Sequence, residues 1–420
     1  MITFRQLTHV SCYFLLKFSL VYDSILRNNR KDNIILKKAN LLYITLQIAL
    51  WGIYGVLYSY ANRYLLSQGL SSTVTGVLLA IATAVAFVLQ PMLTSIIDKR
   101  KVKLKGVLLI LSLLMLICSA VMPFIKNLWA VAIVYALAYV GVVVYPAFIN
   151  AMGMVAIKSG FEVNFGVARG VGAFVFGITA WGTNKLIEVF SESAIPFFAI
   201  IFCFTAIGAI LLFPKGADAV TKKEEASKIT DFFKRNKKFT ALLFAVAIIM
   251  VGHNILGNCM YQIAVFKGNP NAQGSVLMLS TLIEIPTIVF FTKLLKVASG
   301  STYMKISGVF FVLRILLTLI IPGIWGLYIA QLCQIAGYGL YTVCSVYYAG
   351  EVVSDKDTVK GQAYISAANT IGCLVAHFTG GALIDVVGTG NMLVITTVIS
   401  VIGMIMLFFT TENTHKKTDA

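Results

Sequence analysis

Apolar residues in this chain fall into long runs, separated by short segments rich in Lys, Gly, Ser and Asn. A run of roughly 20 residues is what an α-helix needs to cross about 30 Å of hydrocarbon. A soluble α/β protein would instead show apolar stretches of about 4–8 residues. Setting the runs against the polar breaks predicts spans near 41–66, 73–97, 104–124, 128–150, 168–189, 195–214, 239–263, 275–297, 303–322, 324–349, 362–386 and 390–411. Backbone groups in lipid must be satisfied within the segment, and these runs do not alternate as barrel strands do. The expected fold class is therefore an all-α polytopic membrane protein of twelve transmembrane helices.

Composition agrees: 59% of the 420 residues are hydrophobic and 12% charged, where a soluble protein carries about 25% charged residues. A net charge of +17 is large enough to suggest nucleic acid, but position argues otherwise. Of the 34 Lys and Arg residues, 29 fall in segments on one side of the spans. Only Arg63, Lys126, Lys185 and Lys267 fall on the other, and Arg314 lies within a span. Positive-inside bias makes the basic side cytoplasmic, with both termini there. The partners expected are membrane lipids, not nucleic acid. The seven cysteines include no C-x-x-C pair and six lie in apolar runs, so neither a disulfide framework nor a metal or other cofactor is implied.

The longest hydrophilic connector, 215–238, divides the spans six and six. This predicts an N-terminal bundle (39–214), a cytoplasmic linker (215–238), a C-terminal bundle (239–411) and a short tail (412–420). Within residues 1–38 the stretch Val10–Leu26 is apolar but interrupted by Lys17 and Asp23, and no small-residue cleavage site follows. They read as an interfacial or disordered extension, or as a start site placed too far upstream. The halves echo each other: Gln90-Pro91 with Ile285-Pro286, Leu186-Ile187-Glu188-Val189 with Leu383-Ile384-Asp385-Val386, and Gly106-Val-Leu-Leu with Gly308-Val-Phe-Phe, at offsets of 195, 197 and 202. A duplicated six-helix unit predicts two pseudo-symmetric bundles with a site between them.

Several segments carry a family resemblance. Gln90-Pro91 through Asp98-Lys99 is similar to the Q-P-x-x-G-x-x-x-D-K segment between spans 2 and 3 of the major facilitator superfamily, with Thr94 in place of the glycine. Phe165-Gly166-Val167-Ala168-Arg169-Gly170-Val171-Gly172 resembles F-G-x-x-R-x-x-G. Glu284-Ile285-Pro286, Phe311-Val312-Leu313-Arg314, Gly361-Gln362-Ala363 and Gly380-Gly381-Ala382-Leu383-Ile384-Asp385 resemble the branch containing lactose permease and the phenylpropionate-permease-like proteins. The resemblance covers about residues 40–411. It implies a secondary transporter working by alternating access, not an enzyme.

Ionisable groups at mid-membrane cost on the order of 2.5–3.5 kcal/mol each and mark function. Glu284 and Arg314 both fall near mid-depth on adjacent spans, where they are expected to pair. The pair has either a packing role alone or a role in proton exchange, because burial favours a neutral carboxyl and a nearby Arg opposes that. The resemblance implies substrate binding and proton coupling at these positions. It likewise carries a substrate-bonding role onto Arg169, against snorkelling to lipid phosphate, and a ring-stacking role onto Phe176, against ordinary lipid-facing bulk. The sugar-transporting member's span 4 acid has no counterpart in Ile149-Asn150-Ala151-Met152. Its span 10 histidine and acid fall at Gln334 and Gly337, so Glu284 is left to carry a proton alone. Asp98, beside Lys99, Arg100 and Lys101, is expected to bias inward against outward states.

Polar side chains form helical stripes. Gln331, Gln334, Tyr338, Tyr341, Ser345 and Tyr348 in span 10 are spaced 3, 4, 3, 4, 3, one face of a continuous helix. Gln47, Trp51, Tyr54, Tyr58 and Asn62 occupy span 1, Tyr135, Tyr139 and Asn150 span 4, and Asn254, Asn258 and Gln262 span 7. Aromatic faces with amides suit a small neutral or aromatic solute: a sugar, nucleoside or aromatic acid. His253 and His377 read as packed neutral histidines. The reading is a solute:proton symporter. Its rivals are a drug:proton antiporter of the same fold and, of another class, a membrane sensor that does not transport. A membrane enzyme would need an acid–base or metal cluster at a membrane face, and the outer loops offer only Glu188, Glu192 and Asp385.

Overall fold

The computed structural model describes residues 31–100, 102–214, 229–354 and 357–413. Among these residues every regular element is helical. The side chain of Asp98 lies outside the described residues, as do most of the expected extension, much of the linker and most of the tail.

The spans are Lys38–Ser67, Ser72–Ile97, Leu104–Phe124, Leu128–Lys158, Phe165–Phe190, Ala194–Leu212, Lys237–Asn258, Pro270–Leu294, Gly300–Ile320, Trp325–Val352 and Lys360–Thr410. They are numbered 1 to 12 below, because the last helix holds two crossings. It is interrupted at Gly388, whose φ of 79° and ψ of 162° are not helical. A methyl group on Gly372 would meet the Ala247 carbonyl oxygen at 2.7 Å, and one on Gly403 the Ile249 nitrogen at 2.7 Å. Two residues, 16 before the break and 15 after it, thus pack against the same turn of span 7, so the chain reverses at Gly388. Span 4 runs to Lys158, past the expected end at Asn150, because the following stretch stays apolar. Asn150 does not end the helix; its Oδ1 accepts a hydrogen bond from Gln47 Nε2 at 3.1 Å.

The duplication hinted at in sequence reappears in backbone conformation. Ser191, between spans 5 and 6, has φ 64° and ψ −177° and is the one non-glycine with positive φ among the described residues. Gly388 lies 197 residues later, the offset of the Leu186 and Leu383 motifs, and turns the corresponding corner of the second half.

One apolar core runs from Leu42 to Phe213 and two more between Phe232 and Leu407. Spans 1–6 and 7–12 are thus separately cored bundles. Lipid tails are as apolar as Leu, so close packing of small residues and interhelical hydrogen bonds hold such bundles together. The contacts between bundles are uneven. Among the described residues, every hydrogen bond joining them lies at mid-depth or on the face away from the termini, called here the distal face. Asn62 Nδ2 donates to Asn258 O at 2.6 Å, Gln273 Nε2 to Ser59 O at 2.8 Å, and Thr73 N to Asp385 Oδ2 at 2.7 Å. Spans 2 and 11 touch through Gly76 and Gly381. Arg63, 5% exposed, donates to Glu192 and Asn184 in its own bundle and to Pro270 O and Asn271 in the other. These contacts seal the distal face.

Three spans lose regular helix along their length, spans 1 and 10 near mid-depth and span 7 closer to the distal face. Span 1 winds as a π-helix over Tyr54–Tyr58, span 7 breaks at Cys259, and span 10 breaks between Leu332 and Tyr338. The expected single stripe on span 10 is therefore two short faces. Such breaks occur at membrane depth where backbone lines a cavity or finds other partners. Thr287 Oγ1 of span 8 supplies one, donating to the freed Ile335 carbonyl at 2.6 Å.

Candidate functional site

The breaks in spans 1 and 10 border a cavity of about 330 Å³ between the bundles, within the range that holds a small solute. Its lining includes Tyr54 and Tyr58 of span 1, Thr83 and Gln90 of span 2, His253 and Asn254 of span 7, Tyr338 of span 10, and Asn369 and Cys373 of span 11.

Aromatic rings make two walls. On the N-terminal bundle, Tyr54 stacks on Tyr58 at 4.7 Å, and Tyr58 on Tyr139 at 5.3 Å. Trp51 continues this wall, with Phe176 edge-on at 6.2 Å and the Arg169 guanidinium 4.1 Å above its ring. Spacings of three and four residues set Trp51, Tyr54 and Tyr58 on one face of span 1. On the facing bundle, His253 stacks on Tyr338 at 4.6 Å with planes 9° apart, and Phe311 meets the His253 ring edge-on. A planar group entering between the walls meets aromatic rings on both sides.

The polar groups sit where span 10 breaks. Gln334 Nε2 donates to Glu284 Oε1 at 2.9 Å. A methyl on Gly339 would lie 3.1 Å from Glu284 Cα, so the acid's backbone presses against the residue after Tyr338. The Arg314 guanidinium takes other partners: Nη2 donates to Gln331 Oε1 at 2.8 Å, and Nη1 meets His253 Nδ1 at 3.2 Å. No ion pair within 4 Å joins Glu284 to Arg314 among the described residues. The expected pairing is corrected: the break inserts Gln331 and Gln334 between the charges. Arg169 is exposed, and Glu284 and Tyr338 of the opposite bundle lie within its electrostatic range. Two atoms of this group, Arg314 Nε and Gln334 Oε1, are buried without a partner. Orphaned buried polar atoms are rare enough to mark strain or a missing ligand.

The structure distributes the residues chosen from sequence as follows. Tyr58, Asn254 and Tyr338 line the cavity. Glu284 and Gln334 form one pair behind Tyr338, and Arg314 stands with His253. Arg169 and Phe176 meet on Trp51, so neither is a plain lipid-facing residue. Asn258 sits above the cavity, its Nδ2 3.9 Å from Cys373 Sγ and its carbonyl held by Asn62. Tyr341 is buried, with its hydroxyl donating to Asn369 at 2.7 Å, outside the cavity's lining. His377 is a packed histidine, its Nε2 3.0 Å from the Tyr139 hydroxyl. His253 departs from that reading and forms part of the cavity wall. Sequence reasoning assigned no site role to Gln90, Asn369, Cys373 or His253. Asn369 and Cys373, four residues apart on one helix, and Thr83, Phe87 and Gln90, spaced four and three on another, were available periodic signals.

Among the solved structures that share the fold are three of transporters. Two are of the nucleoside transporter NupG: a point mutant at TM-score 0.75 and 16% identity, covering 90% of this chain and all of that one, and a second at TM-score 0.71 and 15% identity, covering 90% and 99%. The third is an auto-inhibited peptide transporter of the POT family, at TM-score 0.70 and 9% identity, covering 91% and 99%. At such identities the likeness is one of fold. No curated protein sequence matches significantly. A sealed distal face, a central polar cavity and broken helices around it agree with the family profile that matches residues 43–394, and the chain belongs to the MFS_1 like family of major facilitator transporters.

Proposed function

We propose that the protein is a solute:proton symporter that carries a small neutral or aromatic solute by alternating access, with nucleosides as the first class to test. The observation carrying this reading is Glu284, a carboxylate at mid-depth packed against Gly339 next to the cavity-lining Tyr338, with Gln334 as partner and, among the described residues, no cation within 4 Å. An acid so placed is costly to keep charged in a sealed membrane interior. It takes up a proton where the cavity meets water on one side and releases it on the other. Asp98 sets the balance between states, and Arg169 and Phe176 with Trp51 hold the solute's ring. Both termini face the cytoplasm, so the cavity opens inward and the bundles 39–214 and 239–411 rock about it.

Nucleosides fit because paired aromatic walls take a flat base, while Gln90, Asn254 and Asn369 offer amides to hydroxyls. The name of the NupG structures supports trying that class first. The test is uptake of radiolabelled uridine, glucose and phenylpropionate by proteoliposomes with an imposed acid-outside gradient. Accumulation of one of them that collapses with the gradient is expected. Flux driven only by the reverse gradient, seen with dye substrates, would mean antiport.

A further inference from the structure

We propose that His253 is a fixed hydrogen-bond donor presented to the cavity, its tautomer set by Arg314, and that it selects solutes offering an acceptor in the plane of a ring. This rests on the reading of the central cavity as the solute site.

Arg314 carries only N–H donors. An N–H aimed at Nδ1 from 3.2 Å requires a lone pair there, so Nδ1 bears no proton. A doubly protonated ring would turn an N–H toward a guanidinium N–H, and both groups would be cationic. The ring is therefore neutral with its proton on Nε2. Among the described residues Nε2 has no hydrogen-bond partner, and it is not sealed away from solvent. His377 is the internal contrast: its Nε2 is engaged by Tyr139 and the side chain is 4% exposed.

The His253 ring cannot turn away from the cavity. Tyr338 covers one face at 4.6 Å, Phe311 abuts it at 71°, and Arg314 holds one edge. Arg314 is itself oriented by Gln331 Oε1. A donor held in place before the solute arrives contributes more to affinity than one that must be ordered on binding. A carbonyl or ring nitrogen of a flat heterocycle is the acceptor that a donor beside the Tyr338 ring would meet. A solute presenting an N–H there would oppose the His253 N–H and be rejected.

The test uses the full chain in lipid nanodiscs with imidazole-¹⁵N histidine, the His253 signals being those lost in His253→Gln. Nδ1 is expected unprotonated and Nε2 protonated, with the Nε2 proton in contact with water where that of His377 is not. Arg314→Met should give a mixture of tautomers. Uridine is the probe for binding: it should shift the Nε2 signal, and His253→Phe, which keeps a stacking ring, should weaken it roughly tenfold. His253→Gln should recover part of that loss. An Nδ1–H tautomer, an imidazolium, or an Nε2 proton closed to water overturns the proposal. So does uridine binding that moves neither the signal nor the affinity of His253→Phe. If uridine, glucose and phenylpropionate all fail to raise the thermal stability of the wild-type protein, the solute reading falls instead, and the tautomer and water contact alone decide this inference.

Discussion

The seam between spans 2 and 11 should control which face of the protein is open. A methyl on Gly76 would stand 2.3 Å from the His377 carbonyl oxygen, and one on Gly381 2.1 Å from that of Ser72. Neither neighbour is a flexible side chain, and ordinary contact begins at 3.4 Å, so an alanine must push two helix backbones apart by about 1.1–1.3 Å. Overpacking of this kind costs about 1–3 kcal/mol. The clash lies between bundles, so it penalises the distal-closed state and spares the distal-open one. A differential of that size shifts the population roughly 5–150-fold. The assay places Gln262→Cys, which lies under the distal seal and donates to Asn62, in a background without other reactive thiols. It then follows labelling by a membrane-impermeant maleimide from the distal side. Gly76→Ala and Gly381→Ala should each raise the rate by a factor in that range. Gly208→Ala, with nothing within 4 Å of the added methyl, should leave it unchanged. Folded Gly381→Ala protein with wild-type labelling would refute the reasoning.

Ser191 holds a φ and ψ that cost a residue with a Cβ about 1–3 kcal/mol. Ser191→Gly should therefore raise thermal stability, and Gly388→Ala, at the corresponding corner, should lower it; both are read by thermal unfolding in detergent. Arg63 and Asn271 touch across the distal seal at 3.4 Å. A double-mutant cycle of Arg63→Gln and Asn271→Ala on distal labelling of Gln262→Cys should give a coupling of roughly 0.5–3 kcal/mol, and purely additive effects would remove the pair from the gate. Asp98→Asn should slow turnover in proteoliposomes while leaving the half-saturating solute concentration near that of wild type.

Much of this architecture was legible because lipid imposes a simple rule: apolar helices about as long as the bilayer is thick, with cations crowded on one side. Span ends between apolar runs and charged loops were accordingly close, except that span 4 runs on to Lys158. The break in span 10 was hidden because Gln331, Gln334, Tyr338 and Tyr341 keep helical spacing right across it. Periodicity reports which residues share a face, not whether the backbone between them stays wound. Glu284 and Arg314 were found by the cost of burying charge, but their partners were not. Whether an Arg faces an acid or a glutamine depends on helix rotation, and here Gln331 and Gln334 intervene. His253 and His377 look alike in sequence, each lone on an apolar helix. One closes on Tyr139 and the other fronts the cavity, a difference made by packing across helices.

Proton coupling through Glu284 is the central claim. Glu284→Gln fixes the neutral, hydrogen-bonding form of the side chain and leaves Gln334 a partner. Proteoliposomes loaded with the transported solute at equal concentration on both sides measure exchange, and an imposed pH gradient measures accumulation. The account predicts that Glu284→Gln keeps exchange and loses gradient-driven accumulation, while Arg314→Ala, which strips His253 and Gln331 of their shared donor, impairs both. Accumulation by Glu284→Gln at the wild-type level would contradict it and leave Glu284 a structural residue.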